Sequence, residues 1–208
     1  MYFRLIIKKV KTLGFFSVLK FLLEKNYNKI LRFYFRFDKW HTLAPYHGRI
    51  YKKIVVDLIN DNISYNDTVL EIGCGLGDIL SRVNSQNRYG FDISNRVLKA
   101  AKFKNNKKII FNHGSINDVK NIASIFKIDI IVLVNWTHSI DGMTITNNLK
   151  FLDSIKPIKF ILVDELFKTT SENPIYHTYS KYFKGFAKEI ERSSDGESRN
   201  LVLYKVIE

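Results

Sequence analysis

The residues best suited to chemistry are three alternate glycines, Gly73, Gly75 and Gly77, which follow Val69-Leu70-Glu71-Ile72 and precede Asp78. Glycine accepts positive φ and lets the backbone come close to a ligand, and a helix starting after such a turn offers free N–H groups. Asp92 stands nineteen residues after Gly73, behind a second run, Tyr89-Gly90-Phe91. An acid at that place can accept both ribose hydroxyls of an adenosine. The spacing is G-x-G-x-G with Glu71 two positions ahead and Cys74 inside the turn; dinucleotide sites use G-x-G-x-x-G. Two histidines could move protons near neutrality. His138 follows the apolar run 128–134, and His177 lies in Tyr176-His177-Thr178-Tyr179. Asp164, at the end of Leu162-Val163-Asp164, could hold an imidazole tautomer or accept a substrate hydroxyl.

These groups need a frame that brings them to one edge. Short apolar runs at 68–72, 88–93, 108–112, 128–134 and 158–163 alternate with helical patterns at 49–60, 78–83, 94–103 and 119–126. Such alternation predicts an α/β fold with a mostly parallel sheet and helices on both faces. The runs 185–192 and 201–206 flank Ser193-Ser194-Asp195-Gly196 and predict an antiparallel hairpin that closes the sheet edge. Open sheets of this kind bind ligands beyond the carboxyl ends of their strands. The glycine turn, Asp92, His138 and Asp164 are therefore expected on one rim.

The 208 residues are 46% apolar and 14% aromatic, which excludes a disordered chain and suits one domain with a full core. A single cysteine gives no internal disulfide, and a cytoplasmic location is expected. Ten of the 33 Lys and Arg residues fall within the first forty positions, against only Glu24 and Asp38. This asymmetry separates a basic extension, 1–48, from a domain spanning 49–208. Lys25, Lys29, Arg32 and Arg36 recur at helical spacing beside Tyr27, Ile30, Leu31 and Tyr34, and 13–23 is a second, more apolar helix. Three partners suit such helices: the domain itself, another protein, or an anionic membrane surface held by residues 1–37. Lys20, Glu24 and Lys25 interrupt any run of the ~20 apolar residues that spanning a bilayer requires.

The turn at 69–78 together with Asp92 resembles the first motifs of class I S-adenosylmethionine-dependent methyltransferases. The likeness covers roughly 67–164 and extends, by topology, to the hairpin. It implies a Rossmann-like methyltransferase sheet, S-adenosylmethionine as cofactor, and transfer of a one-carbon group. It also implies that Gly73, Cys74, Gly75 and Gly77 lie against the methionine part, supported by Glu71, with Asp92 on the ribose. In His113-Gly114-Ser115-Ile116 a serine replaces the family's usual acid beside the adenine amine, leaving that contact to Ser115, Asn117 or Asp118 next to Ile116. Asn135-Trp136-Thr137-His138 departs from the N-P-P-Y of relatives that methylate amides and exocyclic amines. Asn135 is expected at the cofactor and Trp136 at the substrate. Asn135 also replaces the fourth-strand acid of magnesium-dependent relatives, so no metal is expected, although Asp141, Asp164 and Glu165 are nearby acids. Trp40, His41 and Tyr46 would form a lid, with Arg49 pairing the methionine carboxylate. The wider arrangement resembles small methyltransferases encoded among bacterial surface-polysaccharide genes.

Methyl transfer from a sulfonium is an in-line displacement, so the protein must align the acceptor and remove its proton. The expected activity is metal-independent O-methylation of a small-molecule or glycan acceptor. His138 is the expected base, His177 the alternative, and Asp164 the orienting acid. Two other readings remain: an RNA methyltransferase whose basic extension holds phosphates, and a non-catalytic scaffold of the same fold bound to a membrane or a complex.

Overall fold

The computed structural model describes residues 14–105, 108–118, 121, 127–149, 158–167, 175–183, 185–194 and 198–207. A long helix, α1 (Phe15–Phe35), and a one-turn helix, α2 (Trp40–Leu43), precede α3 (Ile50–Asn62). Then follow β1 (Thr68–Ile72), β2 (Asn87–Asp92), α4 (Asn95–Lys104), β3 (Ile109–His113) and β4 (Ile130–Leu133). The chain continues through α5 (Gly142–Leu149), β5 (Phe160–Leu166), β6 (Phe186–Ser194) and β7 (Arg199–Val206).

The seven strands lie in the order β3-β2-β1-β4-β5-β7-β6. Neighbours among β1 to β5 are parallel, while β7 is antiparallel to both β5 and β6. Successive side chains of a strand point to opposite faces, and the sheet sorts its aliphatics accordingly. Val69, Val132, Leu162 and Leu203 pack with Val55, Leu58 and Ile59 of α3. Leu70, Ile131, Ile161 and Val202 face the other way, against Ile145, Tyr179 and Phe183. The order reverses at β1 and β4, so the rim between them is the place where an open α/β sheet receives a ligand.

The expected strands and the hairpin are present, as is the helix capped by Ser94, whose Oγ accepts from Val97 N. Two local readings differ. The two N-terminal helices are one continuous helix, ended by Arg36 in the left-handed conformation with its N–H on Arg32 O. Segment 78–83 is not a full helix but a turn closed by a 3-10 element, Leu80–Arg82. There Ser81 Oγ and Arg82 Nη1 both donate to the Asp78 carbonyl, drawing it out of a helical ladder. The helix expected at 119–126 falls, except for Asn121, outside the described residues, as do the positions 1–13 and 195–197.

Helix α1 packs on α4 and on the segment Tyr46–Gly48. Phe21 lies where a Cβ on Gly48 would come within 2.4 Å, and Leu31 joins Phe37, Leu76, Val97 and Ala100 in a small core. Glu24 receives Arg82 Nη2 at 2.8 Å and the His47 N–H at 3.0 Å. Buried Asn28 accepts from Lys104 Nζ, which also donates to Asp78 Oδ1 at 2.7 Å, while Lys52 Nζ donates to Asp78 Oδ2 at 2.7 Å. Burial alone would push the Asp78 carboxyl up; the two ammonium groups outweigh it and hold it well below the usual carboxylate range. Its stabilising contribution is thus complete above that usual range and is lost only as pH falls through the depressed folded value. Asp78→Asn leaves two buried ammonium groups uncompensated and is expected to cost roughly 3 to 5 kcal/mol in urea unfolding at neutral pH.

Candidate active site

A cavity of about 470 Å³ opens at the carboxyl ends of β1, β2 and β4. The glycine turn forms one wall. Gly73 has φ +73°, and a Cβ there would lie 2.4 Å from the Trp136 ring, whose Nε1 donates to Ile72 O at 2.6 Å. Gly75 has φ +53°, with His41 Nδ1 3.1 Å from where its Cβ would be. Both positions therefore need glycine for conformation and for close approach. Gly77 does not border the cavity; it leaves room for the Phe111 ring beneath the turn. Cys74 borders it, but burial pushes its thiol well up, so it stays neutral.

Asp92 lies at the end of β2 with its carboxylate bound to the turn: Oδ2 accepts from Gly75 N at 3.0 Å and Oδ1 from Ser94 N at 2.9 Å. Each oxygen keeps further acceptor capacity toward the cavity. Glu71 is buried beside it, and Oε2 has no hydrogen-bond partner. Burial, reinforced by Asp78 and Asp92 and opposed by Lys52, pushes its carboxyl up to about 8. Ser115 and Ile116 line the far end, where the Ser115 hydroxyl donates to Asp118 Oδ2. Asn135 holds φ +74°, a conformation that asparagine tolerates better than most residues. Its N–H donates to Asp164 Oδ1, and its Oδ1 accepts from Arg199 Nη1.

Trp40 and His41 of α2 border the cavity, with Asp38 Oδ2 3.4 Å from His41 Nε2. Tyr46 and Arg49 do not. Tyr46 lies under the Arg82 guanidinium, 3.9 Å from its carbon, and Arg49 precedes α3. One turn further on, Lys52 reaches the cavity instead. The apolar periodicity of 49–60 gives no sign of this, because Lys52 reaches the cavity only through the packing of α3 on the glycine turn and its bond to Asp78.

The expected catalytic trio comes together, but away from the cavity. His138 and Asp164 are 1% and 0% exposed, and neither they nor His177 line it. His138 Nε2 lies 3.2 Å from Asp164 Oδ1 without hydrogen-bond alignment, and its ring stacks at 6.1 Å on His177. His177 Nε2 donates to Thr137 O at 3.0 Å, and burial holds this imidazole low and neutral. Asp164 Oδ2 accepts from Arg199 Nη1 at 2.7 Å. Burial pushes the Asp164 carboxyl up, but His138 and Arg199 outweigh it and keep the group ionised. The trio therefore braces the Asn135-Trp136 rim from behind, and direct contact of His138 with an acceptor is not what this geometry offers. Asp141 and Glu165 are engaged elsewhere, with Thr144 and Tyr204. Among the described residues, no group of three His, Cys, Asp or Glu side chains could hold a metal ion.

Residues 63–175, more than half of the chain, match the family profile described as a methyltransferase domain. The chain belongs to that methyltransferase family. An uncharacterized protein of Methanocaldococcus jannaschii is 33% identical over 89 residues, 40% of this chain and 35% of that protein, so the chain spans about a third of the curated relative's length. Among solved structures, the N-methyltransferase NodS of Bradyrhizobium japonicum WM9, in complex with S-adenosyl-L-homocysteine, superposes with a TM-score of 0.62. It is 12% identical, over 76% of this chain and 86% of that one. Magnesium protoporphyrin IX methyltransferase of Synechocystis PCC 6803, with bound SAM, gives 0.58 at 14% identity, over 76% and 80%. At such identities the likeness shows the Rossmann-like methyltransferase fold.

Glu71 supplies a pH test of this site. Its folded carboxyl, near 8, lies above the ordinary value of 4.5, so its favourable contribution is complete below that ordinary value and is lost as pH rises through 8. Glu71→Gln should gain on the wild type by a few kcal/mol between about pH 5 and about pH 9 in urea unfolding. A constant difference would show that Glu71 is already ionised.

Proposed function

We propose that the protein is an S-adenosylmethionine-dependent methyltransferase acting on a hydroxyl of a small-molecule or glycan acceptor. The observation that carries this reading is the joining of Gly73, Gly75 and the Asp92 carboxylate on one cavity of about 470 Å³, a size within the usual range for cofactor sites. The residues present fit the group. The turn is open where any Cβ would intrude, Asp92 can accept ribose hydroxyls, and Ile116, Ile140 and Leu76 provide apolar walls. Lys52, already on Asp78, stands closest to the role given to Arg49 by resemblance, that of pairing a carboxylate. S-adenosylmethionine, when bound, supplies the electrophilic methyl group.

The histidine with access to that space is His41. Asp38 beside Nε2 favours the proton there, leaving Nδ1, on the Gly75 side, to accept one from a hydroxyl. Trp40 and Trp136 flank the same space and can exclude water. His138, His177 and Asp164 then act at one remove, by holding Asn135 and Trp136 in place.

Titration calorimetry with S-adenosylhomocysteine tests the cofactor: binding is expected, weakened by roughly 1.5 to 3 kcal/mol in Asp92→Ala. Absence of heat with the wild type overturns the proposal. Labelled cofactor and fractionated cell extract test the acceptor, with label expected in small-molecule or glycan fractions; label confined to RNA or protein overturns that assignment. With the acceptor found, His41→Ala is expected to keep cofactor affinity and lose about 10²-fold in turnover. Unchanged turnover removes His41 as the base.

A further inference from the structure

Helix α1 carries apolar residues on its outward side as well as on the side packed against the domain. Its anchoring side, Val18, Phe21, Asn28 and Leu31, is buried. Its outward side carries Phe16, Leu23, Phe33 and Tyr34, between 62% and 83% exposed, with Leu19 and Ile30 between them at helical spacing. Surface-docked helices ordinarily turn polar residues to water, so this strip is prepared for something other than water.

Lys25, Lys29, Arg32, Arg36 and Lys39 gather along one flank of the strip, lining a groove with Phe33, Phe37, Thr42 and Leu43. None of the residues lining this groove is acidic. A second copy would set these cations against the same cations, in a chain whose net charge is already +13, which disfavours self-association. A nucleic acid would answer the charges but leave the aromatic and aliphatic strip in water. A surface that presents phosphates with hydrocarbon just beneath them answers both. Among the described residues no helix is long and apolar enough to cross a membrane, so the geometry is that of a helix lying in the interface plane.

We propose that α1 docks the protein on an anionic lipid surface, with the cationic groove on lipid phosphates and the strip from Phe16 to Tyr34 in the acyl boundary. Helix α2 connects this surface to the cavity. Trp40 and His41 border the cavity, while Thr42 and Leu43, on the same turn of helix, border the groove. Docking therefore brings the cavity wall beside the lipid surface and favours an acceptor carried there. The inference does not rest on methyl transfer, since vesicle binding and cofactor binding are separate measurements.

The test is co-sedimentation of the full-length protein with vesicles of phosphatidylcholine alone and of phosphatidylcholine mixed equally with phosphatidylglycerol. Binding is expected only to the mixed vesicles and should weaken with salt. Lys29→Ala and Lys39→Ala should each lose about fivefold. The double variant Leu23→Ser/Phe33→Ser, both residues exposed, should lose about tenfold or more, with melting temperature and S-adenosylhomocysteine affinity unchanged. Three results would overturn the proposal: no binding to mixed vesicles at low salt, vesicle binding untouched by the double variant, or a solution dimer that the double variant abolishes while vesicles are ignored. RNA binding tighter than vesicle binding and insensitive to the double variant would also overturn it, and would assign the groove to nucleic acid.

Discussion

Asp78 sits where three distant segments meet. It ends the glycine turn, Lys52 reaches it from α3, and Lys104 reaches it from the end of α4 while also bonding to Asn28 of α1. A carboxylate this deeply buried persists as an ion only because two ammonium groups face it, and they in turn are tolerable in the interior only because of it. The arrangement fixes the turn, both flanking helices and the N-terminal helix relative to one another. It also places positive charge beside Glu71 and at the cavity wall, where Lys52 lines it.

The opposite side of the cavity depends on a second buried charge. Asp164, on β5, takes the guanidinium of Arg199 from β7, the imidazole of His138 and the N–H of Asn135. The C-terminal hairpin therefore does more than cover the sheet edge. Its Arg199 fastens Asn135 in a left-handed conformation at the rim, and Trp136 next to it fills the space that Gly73 leaves open. Local strain at Asn135 is compatible with stability because so many partners determine its place. The buried histidines belong to this bracing, which explains why two groups suited to proton transfer lie behind the wall they support.

Between the two junctions, the cavity wall contributed by 38–41 is set by α1. Glu24 on that helix holds both Arg82 and His47, and the short connection after Arg36 then delivers Asp38, Trp40 and His41 to the cavity. The position of α1 against the domain and the shape of the cavity are therefore mechanically linked.

Local physics made much of the protein legible from its residues alone. Period-two and period-3.6 apolar patterns placed the strands and most helices, Ser94 marked a helix start, and three glycines at alternate positions marked a close-approach turn, because each depends on neighbours only a few positions away. Asp92 could be assigned because strand length and turn spacing carry it to the rim whatever surrounds it. The direction in which a side chain points across the fold depends on contacts between segments tens of residues apart. For that reason the spacing points to His138 as the base at the rim, whereas Asp164, on the adjacent strand, draws it inward, and of the expected lid residues Trp40 and His41 border the cavity while Tyr46 does not. The same holds for Lys52 in place of Arg49, since only the packing of α3 on the glycine turn brings one lysine onto buried Asp78. The pattern of α1 likewise offered apolar residues around much of the helix but not which of them would turn inward; Val18, Phe21 and Leu31 pack on the domain beside Asn28, whose partner is Lys104, and leave the strip from Phe16 to Tyr34 facing out.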